Sequence, residues 1–460
     1  MILKKHIFDQ LPAESSQPED LLKEHRRDRV IVVLDDDPTG TQSVHGIDIL
    51  TTWIPEVLVD QFRKNDPAFY ILTNSRSLGP QAAYELVFSI CRNVQEAADQ
   101  TSKDVLIVAR GDSTLRGHFQ AETSAIKTAI DQPNAMIAFA PAFIDGGRFT
   151  LDNQHYVQEG DQLVPASETP FAQDKSFGYS TSNLYDYVIE KSTDIAHHSE
   201  VFDLSIHDLR TKSVDELADL ILTNKQKKAL IINAVSEQDV GIAAAAMLRA
   251  MSRGAAIVFR SAASLVPALA GIKKKELLTF SGYKEPGLIV VGSYVPKTTR
   301  QLQYLLDQAD VNAVEINVDQ LLQESDFLIG QIAEQVNASL ENGQDTVLFT
   351  SRQLAAGTDE ASSLAIVNRV SDGVIDVVRS LRCKPSFIMA KGGITSSDVA
   401  TKGLGIKRAK VLGQILPGVP VWSAGVETRF PGIPYVVFPG NVGDEASVAD
   451  AFFKLKSKHK

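Results

Sequence analysis

The chain has 460 residues, of which 44% are hydrophobic and 22% are charged, and this composition is typical of globular domains with large apolar cores. The formal net charge of -11 argues against a nucleic-acid backbone as the main partner, because such a partner selects for basic surfaces. The sequence has only two cysteines, no apolar signal core at the N-terminus and no apolar run of about 18 residues. A disulfide framework and a membrane span are therefore not expected, and we predict a cytoplasmic protein.

The first half of the chain alternates short apolar runs with amphipathic stretches. Residues 1–28 are polar and are interpreted as an N-terminal extension. The apolar runs that follow predict buried strands at 29–34, 68–73, 104–109, 134–139, 229–234 and 255–260. Stretches with helical spacing occur at 81–97 and 119–130. This alternation predicts an α/β domain over residues 29–270, with a parallel sheet covered by helices.

Residues 146–182 interrupt this alternation with a predicted hairpin and a predicted loop. An excursion of this length in a compact domain is more often functional than structureless, so we expect a role such as that of a substrate lid. Residues 271–286 combine a basic run with Gly and Pro and are the predicted linker. The α/β pattern restarts over residues 287–460, with predicted strands at 287–293, 345–350, 385–390, 409–413, 419–422 and 434–438. Two successive α/β domains are therefore predicted, and the second has predicted helices near 296–309, near 360–381 and from about 444.

Three consecutive aspartates, Asp35, Asp36 and Asp37, follow the first predicted strand and precede a Pro-Thr-Gly turn. Ligands of open parallel sheets bind beyond the carboxyl ends of the strands. Carboxylates at this position can accept hydrogen bonds from polyol hydroxyls, act as a general base or hold Mg²⁺ through water. A charged turn in which Asp37 caps a helix is the alternative interpretation.

Three further strand ends carry acidic, hydroxyl and arginine side chains close together. The turns after the second, third and fourth predicted strands contain Ser75, Arg76, Asp112, Ser113, Arg116, Asp145 and Arg148. An arginine fork can bind a carboxylate through two hydrogen bonds, while aspartate and serine can orient sugar hydroxyls. Together with the aspartate triplet, these turns predict a pocket for a small polyhydroxylated acid.

The second half of the chain contains glycine turns next to its predicted strands. Paired glycines let backbone N–H groups approach phosphate oxygens, and the N-terminus of a helix favours negative charge. The turn residues of interest are Ser293, Gly392, Gly393, Ile394, Thr395, Gly440 and Asn441. Several such turns in one domain predict a nucleotide-binding site, although Thr395 and Asp398 also fit a pair that caps an ordinary helix.

Two common nucleotide-binding signatures are absent from the sequence. It contains neither the phosphate-loop pattern GxxxxGK[ST] nor a dinucleotide fingerprint GxGxxG in a strand–helix setting with a following acidic residue. The chain is therefore expected to be neither a phosphate-loop NTPase nor a standard Rossmann dehydrogenase. The nine histidines show no metal-ligand spacing, and the sequence assigns no metal ligands.

In combination and order, these motifs resemble those of the four-carbon acid sugar kinases, and the resemblance covers nearly the whole chain from about residue 30. The family's motifs Asp-Asp-x-Thr-Gly, Ser-Arg and Asp-Ser-Thr-x-Arg-Gly match residues 36–40, 75–76 and 112–117. Its Gly-Ser, Gly-Gly-x-Thr, Pro-Gly-Val-Pro and Pro-Gly-Asn-x-Gly turns match residues 292–293, 392–395, 417–420 and 439–443. Asp35 lies outside these motifs, and its role is not assigned.

The resemblance implies a sugar-acid-binding domain, a nucleotide-binding domain, and transfer of the ATP γ-phosphate to the terminal hydroxyl of a threonate-, erythronate- or 3-oxo-tetronate-like acid. In the mechanism that it suggests, Arg76 and Arg116 clamp the substrate carboxylate, while Asp36, Asp37 and Asp112 hold hydroxyls. Mg²⁺ and the glycine-turn N–H groups neutralise the phosphate charge. Asp112 or Asp37 acts as the base or orients the attacking hydroxyl, and the arginines beside Asp112 favour the orienting role because they lower its pKa.

Two other functions remain open at this level. A non-catalytic sensor could bind a sugar acid and a nucleotide to control a partner. A metal-assisted sugar-acid lyase, such as an aldolase or dehydratase, could use the aspartate-rich turn. The sequence determines neither the identity of the acid nor whether the chain forms a homo-oligomer.

Overall fold

The computed structural model describes residues 2–3, 8–16, 19–26, 29–293, 295–323, 325–352, 360–440 and 442–457. Its chain divides into two compact units, Met1–Lys274 and Lys275–Lys460. Asn441, one of the predicted nucleotide-binding residues, lies outside the described residues. Across the described ranges, the helices are all too short or too polar to span a membrane.

The N-terminal unit is built on a parallel sheet. Along its described residues, the strands are β1 (Ile2–Leu3), β2 (Arg29–Asp35), β3 (Asp48–Leu50), β4 (Ala68–Leu72), β5 (Asp104–Arg110), β6 (Met136–Ala140), β7 (Arg148–Leu151), β8 (Gln154–Glu159), β9 (Gln162–Pro165), β10 (Val201–Leu204), β11 (Ala229–Ile232) and β12 (Ile257–Ser261). Eight of them pair in parallel in the order β10-β11-β6-β12-β5-β2-β4-β3. The long strands are nearly continuous apolar runs because both faces of such a sheet are covered.

Helices cover this sheet. They are α1 (Glu19–Arg26), α2 (Pro55–Arg63), α3 (Pro80–Gln100), α4 (Phe119–Ala129), α5 (Leu184–Lys191), α6 (Ile206–Thr211), α7 (Val214–Thr223), α8 (Glu237–Ser252) and α9 (Leu265–Ala270). Both α2 and α3 begin at a proline, which suits a helix start because the first N–H groups have no partner within the helix. Apolar residues of the strands and of α3 and α4, among them Val32, Val87 and Ile126, form one core.

The excursion over residues 146–182 folds into the predicted hairpin and an irregular stretch. β7 and β8 are antiparallel, β9 continues this small sheet, and β1 pairs with β9. Phe8 packs edge-on against Phe149 of β7, with ring centroids 5.4 Å apart. The N-terminal extension is therefore anchored on the excursion.

The C-terminal unit is a second α/β layer structure. Its described strands are β13 (Leu288–Val291), β14 (Asn312–Ile316), β15 (Thr346–Thr350), β16 (Ile388–Lys391), β17 (Arg408–Leu416), β18 (Val419–Ala424) and β19 (Pro434–Phe438). They pair in the order β17-β18-β19-β16-β13-β15-β14, and β18 is antiparallel to both of its neighbours. The described helices are α10 (Pro296–Gln308), α11 (Val318–Gln323), α12 (Ser325–Glu341), α13 (Glu360–Arg379), α14 (Gly393–Asp398) and α15 (Ser447–Lys456).

The predicted α/β class is confirmed, and the predicted strands and helices appear with end shifts of a few residues. Four short strands, β1, β3, β10 and β14, were not predicted from the sequence. β14 is the outermost strand of its sheet and includes Asn312 and Glu315, so it lacks an apolar run. Residues 271–287, around the unit boundary, contain neither helix nor strand.

Asp35 ends β2 and is fully buried. Burial raises the pKa of its carboxyl well above the ordinary value, and the Arg110 guanidinium, whose Nη1 lies 3.4 Å from Asp35 Oδ1, partly offsets this effect. The following turn packs directly onto the same carboxyl group. A Cβ atom at Gly40 would lie 1.9 Å from Asp35 Oδ1, so this position of the turn requires glycine as long as Asp35 stays in place.

We predict that Gly40→Ala lowers the free energy of unfolding of the N-terminal unit by about 1–3 kcal/mol, because the methyl group has to displace a buried carboxyl. Each unit contains one tryptophan, Trp53 or Trp422. Urea unfolding followed by fluorescence in a Trp422→Phe background reports on the N-terminal unit alone. The control is Gly79→Ala, because a Cβ there meets nothing within 4 Å, and its loss should stay below about 1 kcal/mol. Equal losses for the two variants would contradict the packing argument.

Candidate functional site

The carboxyl ends of β5, β2 and β4 lie side by side, because these strands are neighbours in a parallel sheet. Asp36 therefore meets Arg76, although 40 residues separate them. Arg76 Nη2 donates to Asp36 Oδ1 at 2.6 Å, and Nε donates to Oδ2 at 3.2 Å. Arg76 Nη1 also lies 3.5 Å from Asp37 Oδ2. The sheet thus joins two predicted substrate-binding turns through a bidentate ion pair.

Asp37 caps a short 3₁₀ helix, Pro38–Ser43. Its Oδ1 accepts hydrogen bonds from the backbone N–H and the hydroxyl of Thr39, at 2.8 and 2.5 Å. The capping interpretation of Asp37 is confirmed. The same side chain remains partly exposed and lies beside Arg76, so the capping role and a role in the site are compatible.

Asp112 lies in the turn after β5 and accepts hydrogen bonds from the Thr114 hydroxyl and from Arg116 Nε, the latter at 2.9 Å. Burial by itself raises the pKa of Asp112. The opposing charges of Arg76 and Arg116, together with these hydrogen bonds, outweigh burial and hold the pKa below its usual range. Asp112 is therefore an ionised acceptor that suits a hydroxyl donor and is a weak proton acceptor.

Arg116 also contacts the excursion. Its Nη1 lies 3.5 Å from Asp174 Oδ2, and its guanidinium lies 5.0 Å from the centre of the Phe171 ring. Neither residue was identified from the sequence, because only the length of the excursion suggested function. These contacts place part of the excursion against the Asp112 turn.

A buried histidine holds the Asp112 turn from the same side. His155 of β8 contacts the Ser113 carbonyl through Nε2 at 2.8 Å and the Thr150 hydroxyl through Nδ1 at 3.0 Å. Burial lowers the pKa of His155 to about 4, so its ring is neutral at neutral pH. The Tyr187 hydroxyl donates to the Leu115 carbonyl at 2.5 Å. The turn is therefore fixed by surrounding elements.

Ser75 points into a buried layer beneath these turns. Its hydroxyl donates to Glu122 Oε1 at 2.6 Å, and Glu122 pairs with Arg260 at the end of β12. A Cβ atom at Gly111 would lie 2.3 Å from Arg260 Nη2. Any side chain at position 111 would therefore clash with the guanidinium, and the position requires glycine as long as Arg260 stays in place. Sequence reasoning missed Glu122 and Arg260, although a charged residue at the end of a predicted buried strand was a usable signal.

In the C-terminal unit, the glycine turns pack against one another. A Cβ atom at Gly292 would lie 2.4 Å from Thr395 Oγ1, and one at Gly392 would lie 3.2 Å from Ser293 Cβ. One at Gly440 would reach the Cα of Gly392 at 4.0 Å. Gly392 has a φ of 113°, a value that favours glycine. The structure therefore brings together three of the predicted nucleotide-binding turns.

The alternative interpretation, in which Thr395 and Asp398 cap an ordinary helix, is not what the structure shows. Helix α14 has Gly392 as its N-cap, with no side-chain hydrogen bond. Asp398 is the last residue of α14 and instead accepts from the Ser371 hydroxyl at 2.6 Å. Gly393 begins the helix, and the side chain of Ile394 is 55% exposed. The first turn of α14 consequently has N–H groups that no side chain caps.

Two cations beside these turns were not identified from the sequence. Lys391, fully buried at the end of β16, donates through Nζ to the carbonyls of Pro439 and Gly440 at 2.5 and 3.2 Å. Burial lowers the pKa of Lys391 to about 7, and the nearby charge of Lys297 acts in the same direction. Arg352 donates to the Ser293 carbonyl at 2.6 Å and also to carbonyls of Val291 and Thr350. Both cations are bound by backbone carbonyls of the strand ends and turns.

A dedicated protein metal site is not apparent in the part of the chain that the structure describes. No group of three or more His, Cys, Asp or Glu side chains in that part could hold a metal ion. This is compatible with Mg²⁺, which is usually held by substrate phosphates, waters and one or two carboxylates.

Two family models match the chain, one in each unit. Residues 31–269 match the family model of a sugar-binding N-terminal domain, and residues 288–448 match that of a nucleotide-binding C-terminal domain. The chain is 24% identical to a D-threonate kinase of Salmonella typhimurium strain LT2 over 450 residues, which cover 93% of this chain and 99% of that protein.

Solved structures show the same fold. Haemophilus influenzae protein HI1011 superposes with a TM-score of 0.62 at 18% identity, covering 92% of this chain and all of that one. A Salmonella typhimurium LT2 protein superposes with a TM-score of 0.69 at 17% identity, covering 94% of this chain and all of that one. With both domain models matched in order, the chain belongs to the four-carbon acid sugar kinase family.

Proposed function

We propose that the protein transfers the γ-phosphoryl group of ATP to the terminal hydroxyl of a four-carbon sugar acid such as threonate, erythronate or 3-oxo-tetronate. The observation that carries this proposal is the cluster of aspartates and arginines around Asp36, Arg76 and Asp112. It supplies charged acceptors for substrate hydroxyl groups in one place. The D-threonate kinase relative supports the same substrate class.

In this proposal, Asp112 contacts the acceptor. Asp112 accepts a hydrogen bond from the attacking hydroxyl and orients it. Asp36, expected from the sequence to hold hydroxyls, is nearly inaccessible, and both its oxygens accept from Arg76, so its role is to position Arg76 beside Asp112. Arg76 and Arg116, expected from the sequence to clamp the substrate carboxylate, are each engaged by protein carboxylates. Their main role is then to hold these aspartates in place and to lower the pKa of Asp112. Asp37, partly exposed beside Arg76, is the candidate for accepting the proton.

The glycine turns of the C-terminal unit would hold the phosphates of ATP. A Cβ atom at Gly292 would meet the Thr395 hydroxyl, and one at Gly392 would pack tightly against Ser293. The Gly392 N–H donates to the Phe438 carbonyl, so the candidates for contact with phosphate oxygens are the backbone N–H groups in the first turn of α14. Ser293 and Thr395 add hydroxyl groups beside Gly392. When bound with the nucleotide, Mg²⁺ would neutralise phosphate charge. Lys391 would fix the Pro439–Gly440 turn through its two hydrogen bonds.

We expect that the protein releases ADP from ATP and Mg²⁺ only when a suitable acid is present. The assay measures ADP release against a panel of four-carbon sugar acids, with an acid-free control and with the corresponding neutral polyols. At least one acid should raise the rate more than about tenfold. Binding of acid and nucleotide without ADP release would indicate a sensor, and loss of acid without ATP would indicate a lyase.

Asp112→Asn should lower kcat/KM for the acid by about 10²-fold or more, because the hydroxyl loses a charged, preoriented acceptor. The comparison with Asp37→Asn tells which aspartate assists proton removal. Replacing the aspartate that accepts the proton should lower kcat more than it changes KM. The control is Asp215→Asn, which breaks exposed ion pairs with Arg249 and Arg253 far from these turns in sequence. Unchanged turnover of Asp112→Asn would refute its role and leave family membership intact.

Lys391→Met should change how stability depends on pH. The folded-state pKa of about 7 lies below the ordinary value of about 10.4, so between these values the unfolded chain binds more protons and stability rises with pH. The wild-type unit should gain up to about 1 kcal/mol per pH unit relative to the variant between about pH 7 and 9. Urea unfolding in a Trp53→Phe background measures the C-terminal unit. Exposed Lys407, replaced by Met, is the control. Parallel pH curves for wild type and Lys391→Met would contradict the pKa.

A further inference from the structure

The arginines of the N-terminal cluster differ in how their charge is balanced. Most are paired with protein carboxylates: Arg76 with Asp36, Arg110 with Asp35, Arg116 with Asp112 and Asp174, and Arg260 with Glu122. Arg148 is the exception. Among the described residues, no carboxylate pairs with its guanidinium, its Nη1 donates to the Gly146 carbonyl, and its buried Nε has no hydrogen-bond partner.

The position of Arg148 directs its side chain towards the site. Arg148 and Thr150 are two residues apart in β7 and so lie on the same face of the hairpin. Thr150 pairs with His155 of β8, whose ring contacts the Ser113 carbonyl at 2.8 Å. This is therefore the hairpin face that contacts the Asp112 turn.

Electrostatics supports this placement. Burial lowers the pKa of Arg148, the charge of Asp112 opposes that shift, and the charge of Arg116 adds to it. The Arg148 guanidinium consequently lies within the field of the Asp112–Arg116 pair. It nevertheless stays charged, because an arginine pKa remains far above neutrality. A largely buried cation without a carboxylate partner is costly unless a ligand supplies the opposite charge.

We propose that Arg148 binds the carboxylate of the acceptor substrate and makes the site specific for sugar acids over neutral sugars. Its planar guanidinium presents paired N–H donors that match the two oxygens of a carboxylate. The proposal rests on the proposed function, in that the acceptor is a small sugar acid. In this proposal, Arg76 and Arg116 stay paired with Asp36 and Asp112. The substrate carboxylate binds Arg148, whose charge no protein carboxylate among the described residues balances.

The test compares Arg148→Met and Arg148→Lys with wild type, using the best acid of the panel and its neutral tetritol counterpart. Arg148→Met should raise KM for the acid about 10²-fold while kcat changes only a few-fold, and KM for the tetritol should stay unchanged. Arg148→Lys should restore part of the acid affinity, since it keeps the charge and loses the fork. The control Arg29→Met removes an arginine paired with Asp104 at the opposite end of the sheet and should change neither KM.

Calorimetric titration of the acid into nucleotide-free protein separates this inference from the proposed function. Acid binding that is lost in Arg148→Met supports the carboxylate assignment even if no ADP is released. A kinase whose acid affinity is unchanged in Arg148→Met overturns the assignment and leaves the kinase intact. Equal losses for the acid and the tetritol would indicate a purely structural role and would also overturn it. If Arg148→Met fails to fold, Arg148→Lys alone decides, because it must weaken the acid more than the tetritol.

Discussion

The N-terminal site depends on one constraint, which is that a carboxylate taken out of water has to be balanced. Asp35, Asp36 and Glu122 are all nearly inaccessible to solvent, and burying them as unpaired charges would be prohibitively costly. Each faces an arginine from a neighbouring strand end or turn. The ion pairs consequently join the strand ends to one another and hold the turns in fixed positions.

The same constraint explains why these turns contain glycine. A guanidinium or carboxyl group that lies against the backbone leaves no room for a Cβ atom. Gly40 is packed by the Asp35 carboxyl, and Gly111 and Gly117 are packed by the Arg260 guanidinium. Asp35, which has no counterpart in the family motif, therefore has a structural role beneath the turn that carries Asp36 and Asp37.

In the C-terminal unit, backbone carbonyls hold two cations in place of carboxylates. Lys391 and Arg352 are held by backbone carbonyls of the glycine turns and adjacent strand ends. Carbonyls leave the charge of Arg352 uncancelled, whereas Lys391, with a pKa of about 7, is only partly charged at neutral pH. Together with the uncapped start of α14, this arrangement suits phosphate groups. In the proposed function, the N-terminal unit accepts hydroxyls and a carboxylate, and the C-terminal unit accepts phosphates.

The sequence by itself determined the α/β class, most strands and helices, and which turns carry polar residues. These features follow from hydrophobic periodicity and from turn chemistry, which are local properties. Only the tertiary structure decided which charges pair. Arg76 and Arg116 were expected to be available for a substrate, and Glu122, Asp174, Arg260, Arg352 and Lys391 were not identified at all. Pairing depends on which strands become neighbours and on which side chains are buried, and neither is encoded by spacing along the chain. For the same reason, the motif containing Arg148 was visible in the sequence, whereas its unbalanced charge was not.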